Sequence, residues 1–420
     1  MPSVRDRPFA FYGDDVTGSV DVLLQFARRG RSGRLFVGVP GPAALREAAT
    51  EHDVVGIAGI ARSLEGPALD TEVRAALTAL EEIHPRVLQY KACSTADSSP
   101  AVGNLGTVIE IGRELFGDDA IPVLFAQPDF GRYTVFGTHF AAEDGVVHRL
   151  DRQPTMSAHP TTPMDEADLV RHLSRQTSLS IGALPFTAFA APDAVEMALS
   201  ESSDAAVILD ALDDGHLDLL GTALRQMAAR RGMLFAIGSG GLSRALALEH
   251  AETPLSAAAS GSTPAGGPVL VLSGSRSPQT RRQAAAAASA GWLVRPFDEG
   301  AEHGALSALR SGRSVVLTSD DADLAASVDP LTEIPRRAAA IARRALDAGA
   351  TRRLVVCGGD TSGRVIRELG VQSLSIMANP NGNVVLLSAR IDSGTLDLVL
   401  KGGQMGDDDL FEQLRVIGTA

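Results

Sequence analysis

A strand-length apolar run that opens directly into a glycine-rich turn constrains this chain more than any other stretch. Arg353–Cys357 is followed by the turn Gly-Gly-Asp-Thr-Ser-Gly at Gly358–Gly363, and a helix-compatible segment comes next. Glycine lets the backbone approach a ligand closely, and the free N–H groups at a helix start favour an anion such as phosphate. Taken alone, this turn fits either a nucleotide site or an ordinary tight turn between a strand and a helix.

The same order of apolar run, polar or small-residue turn and helix pattern recurs along the chain. Pro8–Gly13, Val87–Cys93 and Ile121–Gln127 are further runs of strand length. Alternating strands and helices predict an α/β fold with mainly parallel sheets, and such sheets bind ligands at the carboxyl ends of their strands. We therefore expect two α/β domains with the active site in a cleft between them.

The composition becomes small and flexible at residues 257–267, which read Ala-Ala-Ala-Ser-Gly-Ser-Thr-Pro-Ala-Gly-Gly. Stretches of this kind are typical of linkers. The sequence predicts an N-terminal domain at 1–256, a linker at 257–267 and a C-terminal domain at 268–420.

Charge and hydropathy exclude several classes of protein. The 420 residues carry 38 Lys and Arg against 51 Asp and Glu, a formal net charge of −13, so no surplus of basic charge is available for nucleic acid. No apolar stretch reaches the ~18 residues that a membrane span needs, and no signal peptide precedes the first strand-like run. We expect a cytoplasmic protein with no nucleic-acid or membrane partner. The two cysteines, Cys93 and Cys357, are expected to be small buried residues rather than zinc ligands.

Polar groups follow several strands of the first half. Asp14 and Asp15 are adjacent carboxylates at a helix start, where one can cap the helix and the other can bind polyol hydroxyls, a cation or a proton. Lys91, one of two lysines in the chain, precedes a serine-rich loop. Arg132 is a candidate clamp for a substrate carboxylate, because a guanidinium meets it through two hydrogen bonds. The structural alternatives are a helix cap, a solvated turn and a surface arginine.

Three loops of small residues follow strands of the second half. They are Ser273-Gly-Ser-Arg-Ser277, Gly358-Gly-Asp-Thr-Ser-Gly363 and Lys401-Gly-Gly-Gln-Met-Gly406. On one sheet edge, three such loops would surround an anionic ligand with N–H and hydroxyl donors. None of them has the spacing of a P-loop or of a dinucleotide-binding fingerprint, which disfavours a nicotinamide-dependent oxidoreductase.

Over nearly its whole length, the chain resembles the four-carbon acid sugar kinase family. The resemblance rests on Gly13-Asp-Asp-Val-Thr-Gly18, Lys91-Ala-Cys-Ser-Thr95, Gly131-Arg-Tyr-Thr-Val135, Ser273-Gly-Ser275 and the two loops at Gly358–Gly363 and Lys401–Gly406. It implies a sugar-acid-binding domain followed by a nucleotide-binding domain. The implied activity is ATP-dependent phosphorylation of the terminal hydroxyl of a small sugar acid, either a four-carbon tetronate or 3-oxo-tetronate or a branched five-carbon oxo-acid such as 3-oxo-isoapionate.

Carried over motif by motif, the resemblance implies two sets of site residues. On the sugar-acid side these are Asp14, Asp15, Lys91, Ser94, Thr95 and Arg132. On the ATP side they are Ser273, Ser275, Gly358, Gly359, Asp360, Thr361, Lys401, Gly403 and Gly406. The loop after Lys91 departs from the family pattern Ser-Thr-Leu-Arg-Gly, since it reads Ser94-Thr-Ala-Asp-Ser98 here. The identity of the acid is therefore left open.

Phosphoryl transfer requires charge neutralisation and in-line positioning, usually with Mg²⁺. We expect ATP and Mg²⁺ as cofactors and Asp360 as the general base, with Asp15 as the next candidate. Asp360 could instead hold Mg²⁺ through water, and no metal ligand is assigned. The alternative function is a non-catalytic sensor that binds a sugar acid and nucleotide. The oligomeric state, including a homodimer, stays open.

Overall fold

The computed structural model describes residues 7–159, 161–248, 251–253, 255, 267–320 and 330–417. The side chains of residues 330, 331 and 360 are outside this description, and so is the expected linker apart from Gly267. The chain forms two compact units, Met1–Thr253 and Pro254–Ala420. Both are α/β structures, as the sequence predicts, while the cleft between them stays a prediction.

The first unit is built on parallel strands, eight of them in the described residues. Their spatial order is β2 (Gly33–Val37), β3 (Val54–Ala58), β1 (Phe9–Gly13), β4 (Val87–Lys91), β11 (Leu234–Gly238), β5 (Ile121–Leu124), β10 (Ala206–Leu209) and β9 (Ile181–Leu184). All five residues of β1 are buried, because helices cover both faces of a parallel sheet. In the register, Gly13 pairs with both Ala58 and Lys91, which brings the carboxyl ends of β3, β1 and β4 level with one another.

Helices and a small antiparallel sheet complete the first unit. The helices are α1 (Val16–Ala27), α2 (Pro42–Glu51), α3 (Gly66–Glu81), α4 (Leu105–Phe116), α5 (Pro154–Ser157), α6 (Leu169–Ser174), α7 (Pro192–Glu201), α8 (Asp214–Arg231) and α9 (Gly240–Ala247). Several begin at a side-chain cap, as at Asn104 for α4 and Ser239 for α9. The small sheet consists of β6 (Arg132–Val135), β7 (Thr138–Glu143) and β8 (Val146–Arg149).

The sheet of the second unit is mixed. Its strand order is β13 (Leu293–Pro296), β14 (Val315–Thr318), β12 (Val269–Ser273), β15 (Arg353–Cys357), β18 (Gly394–Lys401), β17 (Val384–Ile391) and β16 (Ser373–Asn381). The first five are parallel, whereas β17 is antiparallel to both β18 and β16. The helices are α10 (Pro278–Ser289), α11 (Ala301–Arg310), α12 (Pro330–Asp347), α13 (Gly359–Glu368) and α14 (Leu410–Val416). The three small-residue loops follow β12, β15 and β18, which are neighbours in this sheet.

Within the described residues, no helix has the length and apolar character needed to cross a bilayer.

Candidate active site

Asp14 and Lys91 meet at the carboxyl edge of the first unit's sheet. Asp14 follows β1 and Lys91 is the last residue of the neighbouring parallel strand β4. The Asp14 amide donates to the Lys91 carbonyl at 3.1 Å. Both side chains are 3% exposed. The Lys91 Nζ donates to the Ala92 carbonyl at 2.8 Å. Strand register therefore brings two of the expected site residues together, although they are 77 positions apart in the sequence.

Arg62 joins this cluster from the turn that follows β3. Its Nε and Nη2 donate to Asp14 Oδ2 at 3.2 Å and to Oδ1 at 2.7 Å, and Nη2 also donates to Asp15 Oδ1 at 2.9 Å. Burial raises the pKa of Asp14, and the charge of Arg62 opposes that rise. Arg62 is not among the residues expected from sequence. Arg62 follows β3, the neighbour of β1, and because strand order is not encoded in a local pattern, no signal in the sequence indicates this contact.

Asp15 has two roles in the structure. Its Oδ1 accepts from the Gly18 amide at 3.0 Å, which caps α1, and it also accepts from Arg62. Its Oδ2 accepts no hydrogen bond from any described residue. A Cβ atom at Gly18 would lie 2.4 Å from Asp15 Oδ1 and 2.9 Å from Lys91 Nζ. The carboxylate and the ammonium thus both line the first turn of α1, which leaves no room for a side chain there.

The loop after Lys91 is held by buried side chains from the small sheet. His139 Nε2 lies 2.8 Å from the Ser94 carbonyl, which can only accept, so Nε2 carries the proton. His139 Nδ1 then accepts from the Thr134 hydroxyl at 2.9 Å. Burial lowers the pKa of His139 to about 4, so the ring is neutral near pH 7. The Thr95 hydroxyl lies 3.0 Å from Cys93 Sγ, and Cys93 is half-buried, unlike the buried Cys357.

Asp97 stands where the family pattern Ser-Thr-Leu-Arg-Gly has arginine, and its carboxylate is hydrogen-bonded within the protein. Asp97 Oδ1 accepts from the Thr162 hydroxyl at 2.7 Å, and Asp97 is buried. The next residue, Ser98, lies 2.9 Å from both His172 Nε2 and Gln176 Nε2. Asp97 therefore supports the loop, while Ser94 is half-buried and Thr95 is buried within it.

Arg132 retains hydrogen-bond donors for a ligand. Its Nη1 donates to the carbonyls of Phe130 and Ala142 at 2.6 and 3.2 Å, whereas its buried Nε has no partner among the described residues. Burial lowers the pKa of Arg132, and the nearby Cys93 opposes that effect. Cys93 also interacts electrostatically with Arg62. Two guanidinium groups therefore lie around one loop, an arrangement that suits a substrate carboxylate.

The three small-residue loops of the second unit contact one another. The Gly274 amide donates to the Cys357 carbonyl at 3.0 Å, and the Gly358 amide donates to the Lys401 carbonyl at 2.9 Å. A Cβ atom at Gly274 would lie 2.0 Å from Thr361 Oγ1, and one at Gly403 would lie 2.4 Å from Ser275 Oγ. Most of the expected nucleotide-binding residues therefore lie at one sheet edge. Gly274 and Gly403 must be glycine for the loops to pack this closely.

Lys401 lies beneath these loops and is fully buried. Its Nζ donates to the Thr280 hydroxyl at 3.1 Å and to the carbonyls of Gly402 and Gly403 at 3.1 and 3.4 Å. Burial lowers the pKa of Lys401, and burial raises the pKa of the adjacent Cys357 to about 11. All three N–H donors of this ammonium group therefore have acceptors within the protein.

The turn before α13 leaves its backbone accessible. Gly358 has φ 109°, a conformation that favours glycine, and Gly406 has φ 80°. No described heavy atom lies within 4 Å of the point where a Cβ atom of Gly359 would be. Asp360 is the second residue of α13, but its side chain lies outside the described part of the chain. The described residues contain no group of three or more His, Cys, Asp or Glu that could hold a metal ion.

Two family models match the chain, one described as a sugar-binding N-terminal domain at residues 9–246 and one as a nucleotide-binding C-terminal domain at 270–411. The chain is 37% identical to the 3-oxo-isoapionate kinase of Paraburkholderia graminis, over 97% of this chain and 93% of that one. It is 34% identical to the 3-oxo-tetronate kinase of Pseudomonas fluorescens, over 95% and 94%.

Solved structures share the fold. A protein described as a putative tRNA synthase from Salmonella typhimurium LT2 superposes with a TM-score of 0.77 at 23% identity, over 97% of this chain and 98% of that one. A Haemophilus influenzae protein gives 0.74 at 22% identity, over 97% and 100%. At such identities the likeness concerns the fold alone.

Proposed function

Because the chain belongs to the four-carbon acid sugar kinase family, we propose that it transfers the γ-phosphoryl group of ATP to the terminal hydroxyl of a small sugar acid. The observation that carries the proposal is the pair of polar clusters at carboxyl sheet edges, one in each matched domain. The acid to test first is the branched five-carbon oxo-acid 3-oxo-isoapionate, since 37% identity to its kinase exceeds the 34% to a 3-oxo-tetronate kinase. Tetronates and 3-oxo-tetronate come next. A cytoplasmic location and a homodimer stay predictions.

On the sugar-acid side, the roles follow from which atoms are still available. Asp14 is held through both carboxylate oxygens by Arg62, so it fixes the geometry of the cluster. Asp15 Oδ2 is the oxygen that remains to accept a substrate hydroxyl. Lys91, Ser94 and Thr95 supply further polar groups, and the Nη2 group of Arg132, which has no partner among the described residues, meets the substrate carboxylate.

On the nucleotide side, backbone N–H groups and hydroxyls of the three loops hold the phosphates. The residues are Ser273, Ser275, Gly358, Gly359, Thr361, Gly403 and Gly406, with Lys401 shaping the third loop. Mg²⁺, when bound, neutralises charge on the phosphates, and one or two carboxylates suffice to hold it in kinases. Asp360 remains the first candidate for the general base or for holding Mg²⁺ through water, and Asp15 the second.

The test is ADP production by the full-length protein with ATP, Mg²⁺ and a panel of acids: 3-oxo-isoapionate, 3-oxo-tetronate, erythronate and threonate. We expect turnover on one of them, with the phosphate ester identified by mass spectrometry and ³¹P NMR. The matched control is the same acid without its terminal hydroxyl, which should give no ADP above background. Asp360→Ala and Lys91→Ala should each lower turnover strongly. Binding of both ligands without ADP release would favour the sensor function, and failure to bind ATP would exclude the kinase.

A further inference from the structure

The three loops that follow β12, β15 and β18 contain two basic side chains, Lys401 and Arg276. They differ in what they contact. Lys401 is fully buried, and its three donors are directed to Thr280, Gly402 and Gly403. To reach a phosphate oxygen it would have to give up these contacts, which costs free energy because the hydrogen bonds of a buried, charged ammonium group are lost.

Arg276 is exposed and lies in the middle of the Ser273–Ser277 loop. It forms no hydrogen bond or ion pair with the described residues, while the loop around it is fixed. The Ser277 amide donates to Ser275 Oγ at 3.2 Å, and the Thr280 hydroxyl donates to the Gly403 carbonyl at 2.8 Å. The arginine thus extends from a rigid loop with all of its donors available.

Two further observations concern Asp320 and Ser319, which follow β14 beside the Ser273–Ser277 loop. Asp320 follows the end of β14, and its pKa is lowered by its hydrogen bond to Arg281 and, to a lesser degree, by the charge of Arg276. Ser319, the residue before it, is buried and donates its amide to the Ser273 carbonyl at 2.8 Å. The hydroxyl of Ser319 has no partner among the described residues. Next to the loop that carries Arg276 there is thus a buried hydroxyl without a described partner, and such groups are uncommon unless a water, an ion or a ligand completes them.

We propose that Arg276 is the residue whose positive charge contacts the phosphates of bound ATP, while Lys401 holds the third loop in place from beneath. The proposal rests on the proposed kinase function. A guanidinium meets phosphate oxygens through two parallel hydrogen bonds, and it supplies the charge that glycine and serine donors lack. Lys401 acts on the nucleotide through the position of Gly402 and Gly403.

The experiment measures the affinity of the full-length protein for ATP and for adenosine by calorimetry. Arg276→Ala should weaken ATP binding about tenfold or more, since hydrogen bonds to charged groups are the strong ones, and should leave adenosine binding unchanged. The ATP affinity of Arg276→Lys should lie between those of the wild type and of Arg276→Ala. Arg352→Ala, an exposed arginine at the opposite, amino-terminal end of β15, is the matched control and should bind like the wild type.

Each outcome is decisive. Equal ATP affinity in the wild type and Arg276→Ala would overturn the proposal, and so would an equal loss for adenosine, because that would indicate a distorted loop. A wild-type protein that binds no ATP would instead refute the proposed function itself. Melting temperatures of all variants confirm that the second unit stays folded.

Discussion

Asp14 and Arg62 form a two-point ion pair at the carboxyl edge of the first sheet, with Nε–Oδ2 and Nη2–Oδ1 distances of 3.2 and 2.7 Å. Asp14 is 3% exposed and the Arg62 side chain 25% exposed. The pair uses both oxygens of one carboxylate. The neighbouring Asp15 therefore keeps the one carboxylate oxygen of this cluster that is available to a substrate within the described residues.

Loss of Arg62 should destabilise the first unit. Arg62→Ala leaves a buried carboxylate without its partner, which we expect to lower the free energy of unfolding by about 3 kcal/mol. Arg175→Ala is the control, since its pair with Asp165 is exposed and should contribute less than about 1 kcal/mol. Urea unfolding measures both values. Equal stabilities of the two variants would mean that Asp14 does not depend on Arg62.

A methyl group at Gly18 should strongly lower activity while the protein stays folded. Alanine is the better helix former by about 1 kcal/mol, but its Cβ would collide with Asp15 and crowd Lys91. We expect kcat/KM for the acid to fall on the order of 10²-fold, since small displacements of positioning groups have effects of that size. Gly41→Ala, where no described atom lies within 4 Å, should leave kcat/KM unchanged. An active Gly18→Ala protein would contradict the placement of these groups in the site.

His139 should make stability depend on pH. Its pKa of about 4 in the folded chain is below the unfolded value of about 6.5. The folded state therefore favours the neutral ring. The contribution of His139 to the free energy of unfolding is complete above pH 6.5 and is lost as the pH falls from 6.5 through 4. This contribution amounts to about 3 kcal/mol. Urea unfolding between pH 4 and 8 should show a shallower pH dependence for His139→Gln than for the wild type. Parallel curves for the wild type and His139→Gln would refute the assignment.

The two lysines should separate the two binding functions. Lys91→Met should lower kcat for the acid on the order of 10²-fold, as loss of a charged donor does in many active sites, and leave ATP binding intact. Lys401→Met should weaken ATP binding about tenfold, because the three hydrogen bonds through which Lys401 holds the third loop in place are lost, and leave acid binding intact. A steady-state ADP assay measures the loss of kcat and calorimetry with each ligand measures the affinities, so each variant is the control for the other. Loss of both ligands in either variant would indicate unfolding instead.

The sequence alone predicted the alternation of strands and helices. It also predicted that the polar groups follow the carboxyl ends of the strands. Asp14 and Lys91 each stand where a strand ends, and parallel strands direct those ends to one edge. The same reasoning grouped the three loops of the second unit. The Gly274–Thr361 and Gly403–Ser275 contacts show in addition that small residues are needed for these loops to pack against one another.

Long-range partners could not be predicted in this way. Arg62 reaches Asp14 across 48 positions because β3 lies beside β1, and strand order is not encoded in any local pattern. From its sequence, Lys401 in a glycine-rich loop has the pattern of a phosphate ligand. In the structure its Nζ instead donates to the Thr280 hydroxyl, 121 positions away. The histidine that holds the Ser94 loop is likewise fixed by a separate small sheet.

The shared oxygen of Asp15 couples the first turn of α1 to the arrangement of the candidate centre formed by Asp14, Asp15 and Arg62. The amide proton of Gly18 can exchange with solvent only when that cap opens, and opening the cap also displaces the carboxylate from Arg62. Deuterium uptake at this single amide therefore reports how often the empty centre loses its arrangement. A ligand that occupies the centre should slow the uptake in proportion to its occupancy.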